Sequence, residues 1–285
     1  MTLALKVSAD DADASLILFP VSSCHAAIAS CEAADVDIPT ADTTWDEFME
    51  ICQKVKDAGY TPIAASFAEI PHYWFEFCIY NYLTPATHNV LPGSVDDDHG
   101  KAWVNGISDM KVLYEKGFLP ENTLSATDGE TFQLFIDGKA AFLIDGSWKV
   151  GGIESSTDDI DNFTVTYVPG KNDRKSTDII GGLSSGWYIT RKAWDDPEKQ
   201  KACVEFISYM TSDDMVSKFA SVSATALKNG VQVDESQLTS LAVAGLDMVE
   251  GATGMAGILI NIGTHNGIRA SFLSSGRRAL RSVLM

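Results

Sequence analysis

The sequence predicts an α/β fold, in which amphipathic helices alternate with short apolar strands. Two of the helices begin at capping boxes, where a Thr stands three residues before a Glu. Short runs of apolar residues separate the helices and are typical of buried strands. The chain has 285 residues, of which 45% are apolar. That length and composition suffice for two lobes or for one large domain with a real core.

The first capped helix begins at Thr44, which pairs with Glu47, and ends at Gly59. Apolar residues recur inside it at helical spacing, which predicts one buried face. The stretch 62–65 then predicts a short buried strand. The stretch 72–83 predicts a helix rich in aromatic side chains. This region therefore reads as helix, strand and helix.

The alternation continues through the middle of the chain. One amphipathic helix ends at Gly117, and a second starts at the capping box of Thr127 with Glu130 and ends at Gly138. The strands predicted after it are Ala140 to Ile144 and Phe163 to Val168.

The last third of the chain predicts fewer strands. Residues 169–178 are polar and charged and predict a loop or a crossing segment, and 187–190 predict a strand. Pro197 is suited to the first turn of the next helix. Later helices are predicted around 238–246 and over 268–283.

The charge distribution excludes one class of partner. There are 39 acidic and 21 basic residues, a formal charge of −18, which repels nucleic acid and anionic membranes. We therefore expect no nucleic-acid partner. After Glu250 the sequence contains no Asp or Glu, and its arginines are Arg269, Arg277, Arg278 and Arg281. We expect this tail to dock on the acidic body.

Several other classes lack their motifs. Five cysteines occur without a C-x-x-C spacing, which indicates buried thiols and neither a zinc site nor a disulfide framework. The sequence contains no P-loop, H-E-x-x-H or EF-hand pattern, so no metal site and no cofactor is predicted. No segment has the composition of a transmembrane helix, and Met1 is not followed by an export signal.

Motifs in a fixed order resemble one family, the extracellular solute-binding proteins (family 1) that serve as sugar-binding proteins of ABC transporters. The fragments lie between Pro39 and Leu227. They are Pro39 with Thr44-Trp45-Asp46-Glu47-Phe48, the helix-to-strand turn Phe135 to Ile144, Gly146-Ser147-Trp148, Gly181-Gly182 with Trp187-Tyr188-Ile189, and the helix entry Asp196 to Ala202. Each is weak alone, and their order makes the match specific.

The resemblance implies a two-lobed periplasmic-binding-protein type II fold with an incomplete first lobe. Residues 1–29 and 181–229 would be what remains of the first lobe, and 30–180 and 230–285 the ligand-binding second lobe. It implies capture of a mono- or oligosaccharide for a membrane permease, without catalysis and as a monomer. It also implies an exported protein, often a lipoprotein, so we expect the opening portion of the parent protein to be absent from this chain.

A sugar binder needs aromatic rings against the C–H faces of the sugar and short polar groups for its hydroxyls. Trp148 follows a predicted strand, where α/β ligand sites lie, although a core position is the alternative. Of Tyr73 and Trp74 one should face the ligand and one the core, because adjacent helix positions point about 100° apart. Trp74 is our choice for the ligand side. The resemblance adds Trp187, which could instead be a half-buried strand residue.

Polar candidates stand beside these aromatic residues. Glu69, Asp145 and Ser147 are suited to sugar hydroxyls, although solvated carboxylates are common on so acidic a chain. The resemblance also places His265 and Asn266 near the cleft. Asn266 could equally be a helix N-cap.

Three alternatives remain open from the sequence. Aromatic and acidic residues also suit a cationic solute such as a polyamine, through cation–π contact. Gly182 to Gly186 fits the G-x-S-x-G pattern of a serine hydrolase that would use Ser184. That nucleophile needs a helix after it, and a strand is predicted there. The third alternative is a truncated chain that binds nothing.

Overall fold

The computed structural model describes residues 16–18, 21–69, 72–181, 187, 189–223, 226–228, 236 and 238–257. The helices in these ranges are α1 Ile28–Ala33, α2 Trp45–Asp57, α3 His72–Tyr80, α4 Asp98–Glu115, α5 Asp128–Ile136, α6 Lys149–Glu154, α7 Arg191–Trp194, α8 Pro197–Met210, α9 Asp213–Ser223 and α10 Ser240–Glu250. The strands are β1 Leu16–Leu18, β2 Val21–Ala27, β3 Thr61–Ile63, β4 Ala140–Gly146, β5 Phe163–Thr166, β6 Asp178–Gly181, β7 Ala226–Lys228 and β8 Gly254–Gly257. A search of these helices for one that could span a bilayer found none.

The larger sheet has β2 at its centre. Its order is β3-β4-β2-β6-β8, and β5 also pairs with β2. Along one edge β2 pairs antiparallel with β4 over Ser22 to Ala26. Along the other edge β6 pairs with the first residues of β2 and β5 with the last four. β5 and β6 therefore form one interrupted strand, and residues 167–177 leave the sheet between them.

The excursion 167–177 is fastened to the surrounding helices by hydrogen bonds. The backbone N of Trp45 donates to the carbonyl of Gly170 at 2.8 Å, which ties it to the start of α2. The ammonium of Lys171 lies 2.6 Å from Asp109 of α4 and 2.8 Å from the Tyr82 hydroxyl. The polar segment thus connects the start of α2, the middle of α4 and the turn that follows α3.

Helices cover both faces of the larger sheet. Phe142 and Ile144 of β4 pack with buried residues of α2, α3 and α4. Leu143 of β4 and Phe163 of β5 face the other way, toward α5, α6 and α10. Alternate residues of β4 therefore supply two separate cores, as expected for a strand buried on both sides.

The helix starts follow the sequence predictions closely. Both capping boxes are formed, with the backbone N of Thr44 donating to Glu47 at 2.7 Å and that of Thr127 donating to Glu130 at 2.7 Å. Pro197 occupies the first turn of α8. The strand predicted over 140–144 is confirmed as β4, and the one predicted over 163–168 is shorter by two residues.

Three predictions need correction or lie outside the description. The strand predicted at 187–190 is wrong, because the described residues there are not in a strand and Thr190 caps α7. The sequence also predicts an apolar stripe on α8, formed by Cys203, Phe206, Ile207 and Met210, and that stripe is partly exposed, with Phe206 at 49%. The helix predicted over 268–283 lies outside the described residues.

The sheet also bears on the predicted lobe boundary at residue 29. Val21–Ala27, predicted to belong to the first lobe, lies at the centre of the larger sheet and is completely buried. The strands β1 and β7, both predicted for that lobe, pair antiparallel with each other. A boundary that follows the sheet would therefore come before Val21.

The buried imidazole of His25 predicts a pH-dependent stability. Burial lowers the pKa of His25 to about 4, while its Nδ1 lies 3.4 Å from the carbonyl of Leu143. The unfolded chain binds a proton near pH 6.5 and the folded one does not, so the stabilisation present above pH 6.5 is lost as the pH falls toward 4. We expect wild type to lose about 2 kcal/mol more than His25→Gln between pH 7 and pH 5.

Urea unfolding of both proteins at a series of pH values measures this difference. Carboxylates contribute to the pH dependence of the free energy of unfolding in both proteins. Only the difference between the two curves of free energy against pH therefore reports on His25. Parallel curves would contradict the prediction.

Candidate ligand-binding site

The loop after β4 is held in place by the start of β2. The backbone N of Ser147 donates to the carbonyl of Val21 at 2.9 Å, and the Ser147 hydroxyl accepts from the Val21 N at 3.3 Å. Ser147 is 5% exposed, so these bonds are shielded from water. The next residue, Trp148, precedes α6 and leaves 37% of its surface exposed. A fixed backbone thus presents a large aromatic ring to solvent.

The ring of Trp148 lies directly over Gly146. A Cβ atom placed on Gly146 would stand 2.1 Å from two atoms of the indole, which is far inside van der Waals contact. Only a residue without a side chain leaves room for the ring in this position. The glycine therefore sets the orientation of the aromatic surface.

Tyr73 extends the aromatic surface, and Trp74 does not. The ring centroids of Tyr73 and Trp148 are 5.1 Å apart with an interplanar angle of 57°. Trp74 is 1% exposed and packs edge-on against Trp45 and beside Phe48. Trp74 is therefore a core residue, contrary to its choice for the ligand side, and the half-buried Tyr73 is the member of the pair that adjoins Trp148.

Charged groups stand behind the aromatic pair. The carboxylate of Asp145 accepts from the Gly146 N at 2.7 Å, and its other oxygen lies 3.3 Å from the ammonium of Lys149. Lys149 also lies 3.3 Å from Asp128 and 4.5 Å from the ring centre of Phe132. One cation therefore joins two carboxylates and an aromatic face.

The environment shifts the pKa of both Asp145 and Lys149. Burial raises the pKa of Asp145, and the attraction of Lys149 opposes that rise. Burial lowers the pKa of Lys149, but Asp145 and Asp128 outweigh it and leave the pKa above its usual range. Lys149 is therefore a firmly protonated donor at neutral pH. The carboxyl group of Asp145 is an acceptor whose position is fixed by its contacts with the Gly146 N and with Lys149.

Glu69 belongs to the same group of residues. Its side chain is exposed and accepts from the backbone N of Asp128 at 3.1 Å. Its own backbone N donates to the Ser66 hydroxyl at 2.9 Å. Glu69 therefore connects the segment after β3 to the start of α5, on the side where Asp128 meets Lys149.

The remaining sequence candidates are not joined to this group by any contact in the described part of the chain. Trp187 is 47% exposed and stands edge-on to Phe206 at 5.1 Å, beside a cavity of about 260 Å³. His265 and Asn266 lie outside the described residues, as does Ser184. The structure thus brings together Glu69, Tyr73, Asp145, Ser147 and Trp148.

Sequence reasoning missed Lys149, Asp128 and Phe132. Lys149 stands four residues after Asp145, but the interval runs from a strand into a helix, where the usual helical pairing does not apply. Asp128 is close in space because α5 begins beside the end of β4. An acidic residue four positions before a lysine, Asp145 before Lys149, was the available signal.

Gly146→Ala is expected to displace Trp148 at little cost in stability. The ring stands at the surface and can turn away, so the free energy of unfolding should change by less than about 1 kcal/mol. Trp148 should become more hydrated, and its fluorescence should shift to the red. The shift should vanish when Trp148→Phe is added.

Gly152→Ala provides the matched control. Its Cβ would meet the Phe132 ring at 3.6 Å, an ordinary contact, and it lies in α6 next to the site. Equal spectra for Gly146→Ala and wild type would show that the ring does not depend on this glycine.

Aromatic rings with fixed donors and acceptors, at the end of a buried strand, are the residue types that small-solute sites combine. The chain matches the family described as bacterial extracellular solute-binding protein over residues 3–228. It belongs to that family, whose members are binding proteins. No curated protein sequence matches the chain.

Solved structures share the fold. A chitin oligosaccharide binding protein aligns with 94% of this chain and 69% of its own, at a TM-score of 0.71 and 17% identity. A structure from work on xylan utilization by the thermophilic bacterium Caldanaerobius polysaccharolyticus aligns with 98% of this chain and 75% of its own, at a TM-score of 0.74 and 15% identity. Maltose-bound MalE3 of T. maritima aligns with 95% of this chain and 68% of its own, at a TM-score of 0.69 and 19% identity. The predicted fold is confirmed, and this chain spans about two thirds to three quarters of these proteins.

Proposed function

We propose that this chain captures a mono- or oligosaccharide outside the cell and delivers it to the permease of an ABC transporter. The observation that carries the proposal is the partly exposed pair Tyr73 and Trp148 beside the contact of the buried Asp145 with Lys149. The chain would act as a monomer and without catalysis. The sugar names of the structural neighbours support a carbohydrate ligand.

The site can contact both parts of a sugar. The indole of Trp148 offers a flat surface for the C–H face of a pyranose ring, and Tyr73 extends it at an angle. Hydroxyls at the ring edge would meet the carboxylates of Asp145, Glu69 or Asp128 and the ammonium of Lys149. Charge-assisted hydrogen bonds of this kind are about twice as strong as neutral ones, and they supply orientation.

Capture would require closure over the ligand. In the two-lobe division, with Val21–Ala27 counted with the second lobe because it is the central strand of the larger sheet, the aromatic pair lies on that second lobe. The first lobe would close over it by a hinge motion, which buries the sugar and creates the surface that the permease reads. Trp187, in the first-lobe segment, would then approach the ligand from the opposite side.

Titration calorimetry with chitin oligosaccharides, xylo-oligosaccharides, maltose and raffinose tests the proposal. We expect saturable binding of at least one neutral sugar and no hydrolysis of it or of activated esters. Absence of binding across the panel, with the chain folded, would reject the proposal for this chain. Covalent labelling of Ser184 by a fluorophosphonate would favour the hydrolase.

A cationic solute is the second candidate, because the described residues of the site include three carboxylates and one ammonium. Glu69, Asp128 and Asp145 leave the group with net negative charge once Lys149 is counted. Putrescine and spermidine belong in the same panel. A saturable response to them alone would replace the sugar with a polyamine.

A further inference from the structure

A groove separate from the aromatic site runs between α1 and α2. It encloses about 660 Å³, and its walls carry Ile28 and Glu32 of α1 and Glu47 and Ile51 of α2. In each helix the Ile and the Glu are four residues apart, so they lie on one face. Cys31 and the segment after α1 complete an apolar floor. The groove is at the end of β2, whereas the aromatic site is at its beginning.

The rim of this groove carries several acidic side chains that pair with no basic side chain in the described part of the chain. Its carboxylates are Glu32, Asp37, Asp42 and Glu47. From residue 28 to residue 53 the sequence has seven acidic residues and no Lys, Arg or His. In the described part of the chain no ion pair includes any of the four, whereas Asp195, directly after α7, and Asp214 of α9 pair with Arg191 and Lys218. The groove therefore calls for a cationic partner with apolar side chains.

The tail of the same chain has the complementary composition. After Glu250 there is no acidic residue, and residues 268–284 carry four arginines. The same stretch contains the apolar residues Ile268, Phe272, Leu273, Leu280, Val283 and Leu284. It lies outside the described residues. By sequence it is the only part of the chain that combines several cations and apolar residues with a complete absence of acids.

The tail can reach the groove. Gly257 of β8 is two strands from Val21, through Gly181, which is about 10 Å. From Val21 to Ile28 along β2 is about 23 Å, which leaves a span of about 25 Å. Residues 258–268 can cover up to about 36 Å.

We propose that the groove between α1 and α2 is the docking site of the arginine-bearing segment 268–284 of the same chain. Apolar residues of the segment would cover the floor, and its arginines would pair with the rim. Because the segment is tethered, its effective concentration at the groove is in the millimolar range, so modest contacts suffice. The interaction is independent of the proposed ligand.

Trypsin cleavage after Arg277, Arg278 and Arg281 in the full chain, followed by mass spectrometry, tests the docking. The groove variant is Glu32→Gln/Asp37→Asn/Asp42→Asn, which keeps Glu47 because that residue caps α2. Cleavage should be about fivefold faster in this variant than in wild type, since three exposed ion pairs are lost. Added salt should have the same effect on wild type.

The control variant removes equal charge elsewhere, through Glu121→Gln/Asp158→Asn/Asp173→Asn, and should cleave at the wild-type rate. Equal rates in wild type and the groove variant, or equal acceleration in the control, would overturn the proposal. Protection that is lost in Phe206→Ala and kept in the groove variant would also overturn it, in favour of the apolar patch on α8.

The reciprocal measurement does not depend on the groove variant folding. In Arg277→Gln/Arg278→Gln/Arg281→Gln the backbone amides of residues 36–43 should exchange faster with solvent than in wild type. Unchanged exchange there would contradict docking at this site.

Discussion

Trp148→Ala is expected to weaken binding of the neutral sugar by about 30-fold, because it deletes the flat apolar surface against which the ring packs. Removing an aromatic residue from the centre of a site typically costs about 2 kcal/mol of binding free energy. The side chain is 37% exposed, so part of its ring surface is open to a ligand. Calorimetry on the sugar selected by the panel measures the change.

Neighbouring substitutions separate binding from folding. Tyr73→Ala should also lower the affinity for the sugar, by a smaller factor, since its ring adjoins that of Trp148. Trp74→Ala should instead lower the free energy of unfolding by about 3–5 kcal/mol, because that ring is buried among Trp45 and Phe48. Tyr209→Ala, at an exposed aromatic of α8, is the control. Unchanged affinity in Trp148→Ala would remove this residue from the site.

The sequence indicated most of the residues that the structure brings together at the candidate site, but not the choice between two adjacent aromatics. Trp148 could be found because a strand, two small residues and an indole occur in that order. Tyr73 and Trp74 could not be distinguished, since α3 is apolar around most of its circumference and has no polar stripe to mark the outer face. The structure distinguishes the two residues, because the indole of Trp74 fills the space beside α2.

The fold was predictable wherever local chemistry fixes an end of an element. The boxes at Thr44 and Thr127 and the proline of α8 mark helix starts through hydrogen bonds within four residues. The register of β2 was not predictable, because its neighbours come from 140–146, 163–166 and 178–181. Its sequence is short and carries two serines and a histidine, which do not indicate a central strand. Only the long-range pairing shows its place.

The excursion 167–177 was the largest omission, because its polar composition suggested a solvated loop. Arg174 is 5% exposed, and the apolar faces of Phe77 and Tyr80 lie 5.1 and 5.7 Å from its guanidinium. Burial lowers the pKa of Arg174 to about 10, against the attraction of Tyr80. A buried arginine cannot be recognised in sequence when its acceptors are carbonyl groups that every residue has.

Arg174→Ala is expected to lower the free energy of unfolding by about 3–5 kcal/mol. The guanidinium donates to the side chain of Asn81 at 2.7 Å and to the carbonyls of Pro169 at 2.6 Å, Asp178 at 3.0 Å and Val168 at 3.1 Å. The substitution leaves these acceptors without their donor and opens a cavity. Arg174→Lys should recover part of the loss, because an ammonium cannot reach acceptors on several sides.

Urea unfolding measures the change, and Lys175→Ala, at the exposed neighbouring residue, should alter it by less than about 0.5 kcal/mol. Since Arg174 holds both ends of the excursion, hydrogen exchange in Arg174→Ala should accelerate across residues 167–178 before it does in β4. A loss below about 1 kcal/mol, with exchange as in wild type, would mean that water replaces the guanidinium and that the contacts to α2 and α4 hold the excursion without it.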